Sequence, residues 1–270
     1  MPCLELPMNS MRFAAFLMLA TCLPGVPASA AEDAAVPPGW LMMVRTENAD
    51  PSQEAAFNQW YDEIDIPDVL KVPGYLRARR GLASPDGPRA AGEGRYVALY
   101  DIDSRDIERT IESMNQLARD MPKQGRATPL LRVTERIYYR AAGAPRNGTL
   151  AGGGGKSFLV LHRFGCAADA DTATFDAWYD ARVVAAVLAV PGVQRARRYV
   201  LHRVRMDDPV PVPQYLTVYE VAAADAVAAA AALETALRGA LDGGAVAAAF
   251  VPGDANVFRL IKDVVRPAAP

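Results

Sequence analysis

Apolar and polar residues in the first half of the chain follow the spacing of two helices and four strands. Apolar residues recur every three or four positions after Asp50-Pro51, where Asp can cap a helix and Pro fits its first turn. Pro73-Gly74 ends this helix, and Pro67 is expected to kink it. The other predicted elements are strands Leu41–Arg45, Tyr75–Ala83, Arg95–Ile102 and Leu131–Tyr139, and a helix at Ile107–Leu117.

The second half of the chain repeats the pattern of the first. After a shift of 118 residues, thirteen of the 24 residues at 57–80 are identical to those at 175–198. Each half therefore predicts the order strand, helix, strand, strand, helix, strand, with an alanine-rich second helix from Ala222 to Leu241 in the second half. This is the order of a ferredoxin-like βαββαβ unit, so we expect an α+β fold built from two such units.

The amino-acid composition along the chain indicates where each unit begins and ends. Residues 1–30 have the features of a signal peptide, 31–141 form the first unit, 142–156 are a Gly- and Pro-rich linker, and 157–270 form the second unit. A four-stranded sheet with helices on one face leaves its other face open. We therefore expect the two sheets to cover each other by closing one barrel.

The first 30 residues indicate export. Arg12 precedes an apolar run from Phe13 to Leu23 that is too short to cross a bilayer, and Ala28-Ser29-Ala30 is a small-residue cleavage site. Two alternatives are an uncleaved anchor and a lipoprotein acylated at Cys22. We expect a periplasmic or secreted protein with no membrane span once the signal is removed.

Composition argues against several classes of site. A net charge of −2 does not suit a strongly basic nucleic-acid binder, and 51% hydrophobic residues suffice for a buried core. Three cysteines and two histidines argue against a cysteine cluster or a histidine-rich metal site. Removal of the leader would leave Cys166 alone, so no internal disulfide is expected.

Motifs along each unit resemble the EthD-like branch of the dimeric α+β barrel superfamily. In the first unit they are Trp60-Tyr61-Asp62, Ile66-Pro67, Val72-Pro73-Gly74-Tyr75, Arg77-Ala78-Arg79-Arg80 and Tyr96-Val97-Ala98-Leu99-Tyr100. The family's usual form is one unit whose sheet pairs with a second subunit. The resemblance therefore implies a barrel closed within this chain, and it leaves further assembly into a homo-oligomer open.

The resemblance also implies a small-molecule ligand. Members of the superfamily include small monooxygenases, polyketide cyclases, isomerases and haem-binding proteins. The EthD-like motif usually reads Trp-Tyr-x-x-Glu-His-Ile-Pro, and Asp65 stands at the place of its histidine, whereas Val183 does so in the second unit. A histidine mechanism is not carried over. Asp65 is instead a candidate general base in the first half, or else a solvated residue or an arginine partner.

Four arginines are candidate ligands for an anion. They are Arg77, Arg79, Arg195 and Arg197. Each pair alternates along a strand and so points to one face, away from the helices. Guanidinium groups match carboxylates, and the alternative is a solvated rim or ion pairing with acidic helix residues. Those acidic residues are Asp62, Glu63 and Asp180. We expect the arginines and Asp65 to share one cavity.

Aromatic and histidine residues offer further candidates. Tyr75 and Tyr100 are placed to orient a phenol or quinone, although tyrosine is also an ordinary core residue of strands. A haem held by His162 is one alternative, and a strand histidine with satisfied hydrogen bonds is the other. His202 is expected at an exposed hairpin end.

The sequence thus predicts an exported barrel that binds a small aromatic or anionic metabolite. Whether the protein transforms this ligand is left open. If it does, Asp65 acts as the base without a metal or other cofactor. The alternatives are a non-catalytic binding or scaffold protein of the same fold, and a haem-binding barrel.

Export can be tested on protein purified from its native host. We expect amino-terminal sequencing to begin at Ala31, because signal peptidase cleaves after small residues such as those at 28–30. A chain that retains residues before Ala31 would contradict this expectation.

Overall fold

The structure, a computed structural model, describes residues 39–84, 94–148, 155–205, 212–241 and 246–267. The predicted signal peptide and the centre of the predicted linker lie outside these ranges. The described residues from both halves form one compact unit.

The elements of the first half occur in the predicted order. The strands are β1 (Trp40–Asn48), β2 (Tyr75–Ala83), β3 (Tyr96–Ile102) and β4 (Leu131–Ala141). The helices are α1 (Glu54–Trp60), α2 (Ile66–Lys71) and α3 (Ile107–Lys123), and a short strand, β5 (Arg146–Asn147), follows β4. The side chain of Asp50 caps the first helical turn by accepting from the Ser52 amide at 3.0 Å, as predicted.

The second half has the same order. Its strands are β6 (Lys156–Cys166), β7 (Val193–Arg205), β8 (Tyr215–Ala223) and β9 (Phe250–Val265). Its helices are α4 (Thr172–Trp178), α5 (Ala185–Leu188) and α6 (Ala226–Leu241). None of the described helices is both long and apolar enough to cross a membrane.

The strands close into a ring. Their order is β4-β1-β3-β2-β9-β6-β8-β7, and β7 pairs with β4 again, while β5 adds to the far end of β7. All recorded pairings are antiparallel. Two seams, β2–β9 and β4–β7, join the halves. The predicted α+β fold, with two ferredoxin-like units that form one barrel, is confirmed.

Successive side chains along each strand point to opposite faces of the sheet. The apolar residues are therefore divided between the barrel lumen and the outer face beneath the helices. Residues such as Leu41, Met43 and Leu99 point into the barrel lumen, where they form one apolar cluster. Their neighbours, such as Met42 and Tyr100, point outward and pack beneath the helices of the first half. The helices of the second half cover a third cluster in the same way. The central parts of the eight barrel strands are therefore buried on both faces.

The break in the first helix differs from the expectation. Residues Tyr61–Asp65 form a π-helical turn between α1 and α2, and Pro67 lies in the first turn of α2. The second half has the same turn at Tyr179–Val184, although Ala185 stands where the first half has Pro67. A proline kink is therefore the wrong explanation, since the π-turn forms without proline.

Close packing at the β2–β9 seam gives a stability prediction. A Cβ atom on Gly81 would lie 2.6 Å from Cβ of Phe258, so Gly81→Ala should overpack the seam and lower the free energy of unfolding by about 1–3 kcal/mol. Gly239→Ala is the control, because no described atom lies within 4 Å of the added methyl group and Ala favours the helix. Urea denaturation measures both. Equal stability of the two variants would contradict this packing.

Candidate functional site

A narrow cavity lies between the helices and the sheet of the first half, and we call it the aspartate cavity. Its lining residues are Met42, Val44, Thr46, Tyr61, Asp65, Val69, Tyr100, Met114, Leu131, Val133 and Arg136. The π-turn carries Asp65 into it, and β3 carries Tyr100. Its volume of about 30 Å³ is enough for one or two water molecules but too small for an aromatic ring.

Hydrogen bonds join Asp65 to two tyrosines. The hydroxyl of Tyr100 donates to Oδ2 of Asp65 at 3.0 Å, and the hydroxyl of Tyr61 bonds to that of Tyr100. Burial raises the pKa of Asp65 from 3.8 to about 6, against the Tyr100 hydrogen bond and the positive charges of Arg136 and Arg80, which lower it. A carboxylate with this pKa is suited to take up and release protons near neutral pH.

Arg136 brings a second charged group to the cavity. It lies on β4 opposite Val44, and its Nε atom is buried without a hydrogen-bond partner. Leaving such a donor unpaired costs free energy, so a ligand acceptor at this atom would be favourable. An apolar cavity with one carboxylate, one guanidinium and hydroxyl groups is typical of a small-molecule site.

The corresponding space in the second half is filled by large side chains. At positions equivalent to Thr46 and Leu131 stand Phe164 and Phe250. These two rings lie 5.5 Å apart between centroids, within a cluster that includes Tyr179. The two charged residues are also replaced, Asp65 by Val183 and Arg136 by Ala255. The aspartate cavity is therefore a property of the first half.

His162 belongs to this aromatic cluster. Its Nδ1 atom lies 3.1 Å from the Tyr179 hydroxyl, and its ring stacks against Phe164 and Phe250 at 5.3 and 6.0 Å. Burial lowers the pKa of His162 to about 4, so the ring is neutral at pH 7. A haem ligand needs open space beside the ring, and these close contacts do not fit a haem.

The four predicted arginines meet at one end of the barrel lumen. They line a second cavity of about 40 Å³, which we call the arginine chamber. Its residues are Arg77, Arg79, Asp101, Arg195, Arg197, Tyr199, Val218 and Glu220. The arginines point away from the helices, as the alternation in sequence predicts.

Asp65 does not share this chamber. Its partner Tyr100 points to the helices, whereas the next residue of β3, Asp101, points into the lumen and pairs with Arg79 at 2.8 Å. The expectation of one cavity for Asp65 and the arginines is wrong, because the sheet lies between the two sites.

The acidic partners of these arginines also differ from those expected. Arg79 bonds Asp101 at 2.8 Å and Glu220 at 2.9 Å, and Arg77 forms a bidentate pair with Asp263 at 2.8 and 2.5 Å. The acidic helix residues face the other side of the sheet. There, Asp62 lies 3.4 Å from Arg80, and Asp180 lies 3.0 Å from Arg198. The arginine pairing expected for Asp62 and Asp180 thus occurs, but with other arginines.

A buried ion-pair network lies at the opposite end of the lumen. Glu135 binds Arg45 at 3.2 Å and Arg163 at 2.7 Å. Asp254 accepts a hydrogen bond from Nε of Arg163 at 2.7 Å. Two arginines and two carboxylates balance one another here, so this network has a structural explanation.

The remaining candidates have simpler positions. The hydroxyl of Tyr75 donates to the sulfur of Met42 at 3.4 Å, and Tyr75 is absent from the lining of the aspartate cavity. His202 is exposed, with its Nε2 atom 2.8 Å from Glu108. Sequence reasoning missed Arg136 and Asp101. The sequence does contain a signal for Asp101. An acidic residue follows the repeated strand tyrosine in both halves, Asp101 in the first and Glu220 in the second.

Protonation of Asp65 makes stability depend on pH. The unfolded chain releases this proton near pH 3.8 and the folded protein near pH 6, so stability falls as pH rises between these values. One pKa unit corresponds to about 1.4 kcal/mol, which gives a loss of about 3 kcal/mol. Asp65→Asn should remove this loss and be more stable than wild type at about pH 7.5.

Urea denaturation at about pH 4 and pH 7.5 measures the effect. Asp169→Asn is the control, because Asp169 is exposed and should leave the pH dependence unchanged. If Asp65→Asn has the pH dependence of wild type, Asp65 does not titrate as described.

Comparison with known proteins identifies the fold. No protein family and no curated protein sequence matches the chain. Among solved structures, an anthrone oxidase-like protein aligns with a TM-score of 0.53 and 14% identity, over 84% of this chain and 93% of that one. A candidate monooxygenase from Fusobacterium nucleatum aligns with a TM-score of 0.51 and 9% identity, over 85% and 95%. Such neighbours are members of the dimeric α+β barrel superfamily, and this chain has their fold.

Proposed function

We propose that the aspartate cavity binds a small phenolic metabolite and that Asp65 moves a proton on it. The observation that carries this proposal is the half-buried Asp65 carboxylate, hydrogen-bonded to Tyr100 in a largely apolar cavity. The cavity also holds the Nε atom of Arg136, which has no hydrogen-bond partner among the described residues. The second half lacks both charged groups.

The residues of the cavity have separate roles in this proposal. Above about pH 6, Asp65 is ionised and accepts the proton of a ligand hydroxyl. The negative charge then passes to the ligand, where the Nε atom of Arg136 donates a hydrogen bond to it. Tyr100 holds the carboxylate in place through its 3.0 Å hydrogen bond. Return of the proton to a ring carbon would give a tautomer of the ligand.

Entry of an aromatic ring requires the cavity to expand. Met42 and Met114 form part of its wall. Methionine side chains are unbranched and adapt their rotamers readily, so they are the residues expected to give way. Thr46 and Leu131 leave the space that Phe164 and Phe250 fill in the second half.

The function of the whole protein follows from this site together with the signal peptide and the repeat predicted from the sequence. We propose an exported protein built from tandem EthD-like units, of which the first keeps a working site and the second stabilises the barrel. The fold does not itself assign an activity, because folds of this kind host many functions. A binding protein without catalysis is the second candidate, because the same carboxylate and guanidinium would hold a polar ligand without any proton transfer.

Phenol and toluene together test binding. A phenol hydroxyl that donates to ionised Asp65 should make phenol bind about tenfold tighter at about pH 8 than at pH 4, while toluene shows no such change. Asp65→Asn should remove the pH dependence. Tyr219→Phe is the control, because Tyr219 is the counterpart of Tyr100 in the second half. Calorimetry that shows equal pH dependence for both ligands would contradict the proposal.

Hydrogen exchange tests proton transfer. Resorcinol is an electron-rich phenol whose ring hydrogens exchange when a base takes the hydroxyl proton and a deuteron is delivered to carbon. In D₂O we expect the protein to accelerate this exchange, and Asp65→Asn to reduce the acceleration by about 100-fold. Thr46→Phe, which copies Phe164 of the second half, should abolish it by filling the cavity. If phenol binds but no exchange is catalysed, the protein is a binding protein.

A further inference from the structure

The arginine chamber holds more positive than negative charge. Four guanidinium groups line it, and two carboxylates, Asp101 and Glu220, share its wall. A third, Asp263, pairs with Arg77 at 2.5 Å. One positive charge therefore has no counterpart among the described residues that contact the chamber. A surplus charge in a partly enclosed cavity favours a bound anion.

The unbalanced charge lies on the arginines of the second half. Two of the three acids, Glu220 and Asp263, come from the second half. Both bind arginines of the first half, Arg79 at 2.9 Å and Arg77 at 2.5 Å. Arg197 donates to the Gly143 carbonyl at 3.2 Å instead of to a carboxylate. Among the described residues, Arg195 has no side-chain partner. Arg195 and Arg197 are both half-buried.

A difference between the two seams explains why Arg195 is left without a partner. In the β2–β9 seam, Asp263 lies opposite Arg79 and binds the neighbouring Arg77. The shift of 119 residues that aligns β4 with β9 places Ala144 at the equivalent position of the other seam. Arg77 thus receives an acid from the other half, whereas its counterpart Arg195 does not, because Ala144 stands at the place of that acid.

Arg79, which also lines the chamber, offers a further donor. Arg79 is 4% exposed, and its Nε atom is buried without a hydrogen-bond partner, although its two terminal nitrogens bond carboxylates. Guanidinium groups bind planar oxyanions through paired hydrogen bonds. The volume of about 40 Å³ suits a group of a few atoms.

We infer that the arginine chamber binds one carboxylate group, held chiefly by Arg195 and Arg197. This site lies in the lumen, on the opposite face of the sheet from Asp65, and does not depend on the proposed function. The carboxylate belongs either to a small free acid or to a larger molecule that extends through the half-buried rim. Arg77, Arg195 and Glu220 are part of that rim.

Calorimetric titration with sodium acetate and sodium benzoate at constant ionic strength tests the inference. We expect saturable binding of one anion per chain, and Arg195→Gln should weaken it about tenfold or more. Arg203→Gln is the matched control: Arg203 lies on the same strand, and its partner is Glu108 at 2.5 Å. Tighter binding of benzoate would indicate a larger ligand, and equal binding a small free acid.

Ala144→Asp provides a second test that does not remove an arginine. Ala144 is exposed, so the new carboxylate should be tolerated and should pair with Arg195. We expect this variant to lose acetate binding and to melt at a higher temperature than wild type. Asp65→Asn should bind acetate as wild type does, which separates this site from the aspartate cavity.

Two results would overturn the inference. One is the absence of saturable binding of both acetate and benzoate to the wild-type protein. The other is equal weakening by Arg203→Gln and Arg195→Gln, because this would show a general effect of net charge. If Arg195→Gln does not fold, the inference is instead overturned by an Ala144→Asp variant that binds acetate with wild-type affinity.

Discussion

Closure of the sheet through the β2–β9 and β4–β7 hydrogen bonds is the constraint on which both cavities depend. A closed sheet has an inside and an outside, and each strand presents alternate residues to them. Tyr100 and Asp101 are adjacent in the chain, yet one belongs to the aspartate cavity and the other to the arginine chamber. The two sites are thus chemically separate although one strand serves both.

The two halves have the same backbone fold but differ in the polar side chains that they carry. In the first half, small side chains and Asp65 leave a cavity beneath the helices, whereas the second half fills the same place with aromatic rings around His162. In the lumen it is the first half that lacks the counterpart of Asp263, and Arg195 of the second half is therefore left without an acidic partner among the described residues. The arginines on which the two proposals depend, Arg136 in the first half and Arg195 in the second, therefore lie on opposite faces of the sheet.

The fold was accessible from sequence because it rests on local periodicity and on repetition. Alternating arginines gave the correct face of each strand, and Asp50 gave the correct helix start. Long-range partners were not accessible in this way. The pairing of Arg79 with Glu220, 141 residues away, crosses the lumen between β2 and β8, which are not neighbours in the sheet. A single sequence does not define such a contact. The π-turn was missed because Pro67 offered a simpler explanation of the same break.

The circular order of the strands has a consequence for the dynamics of the protein. Each half supplies one strand to each seam, so neither half can unfold without opening both rows of hydrogen bonds between them. The halves are therefore coupled as one cooperative unit and do not behave as two linked domains. A molecule held in the lumen contacts both halves, so it would slow the opening of the whole ring, including the distant helices around Asp65.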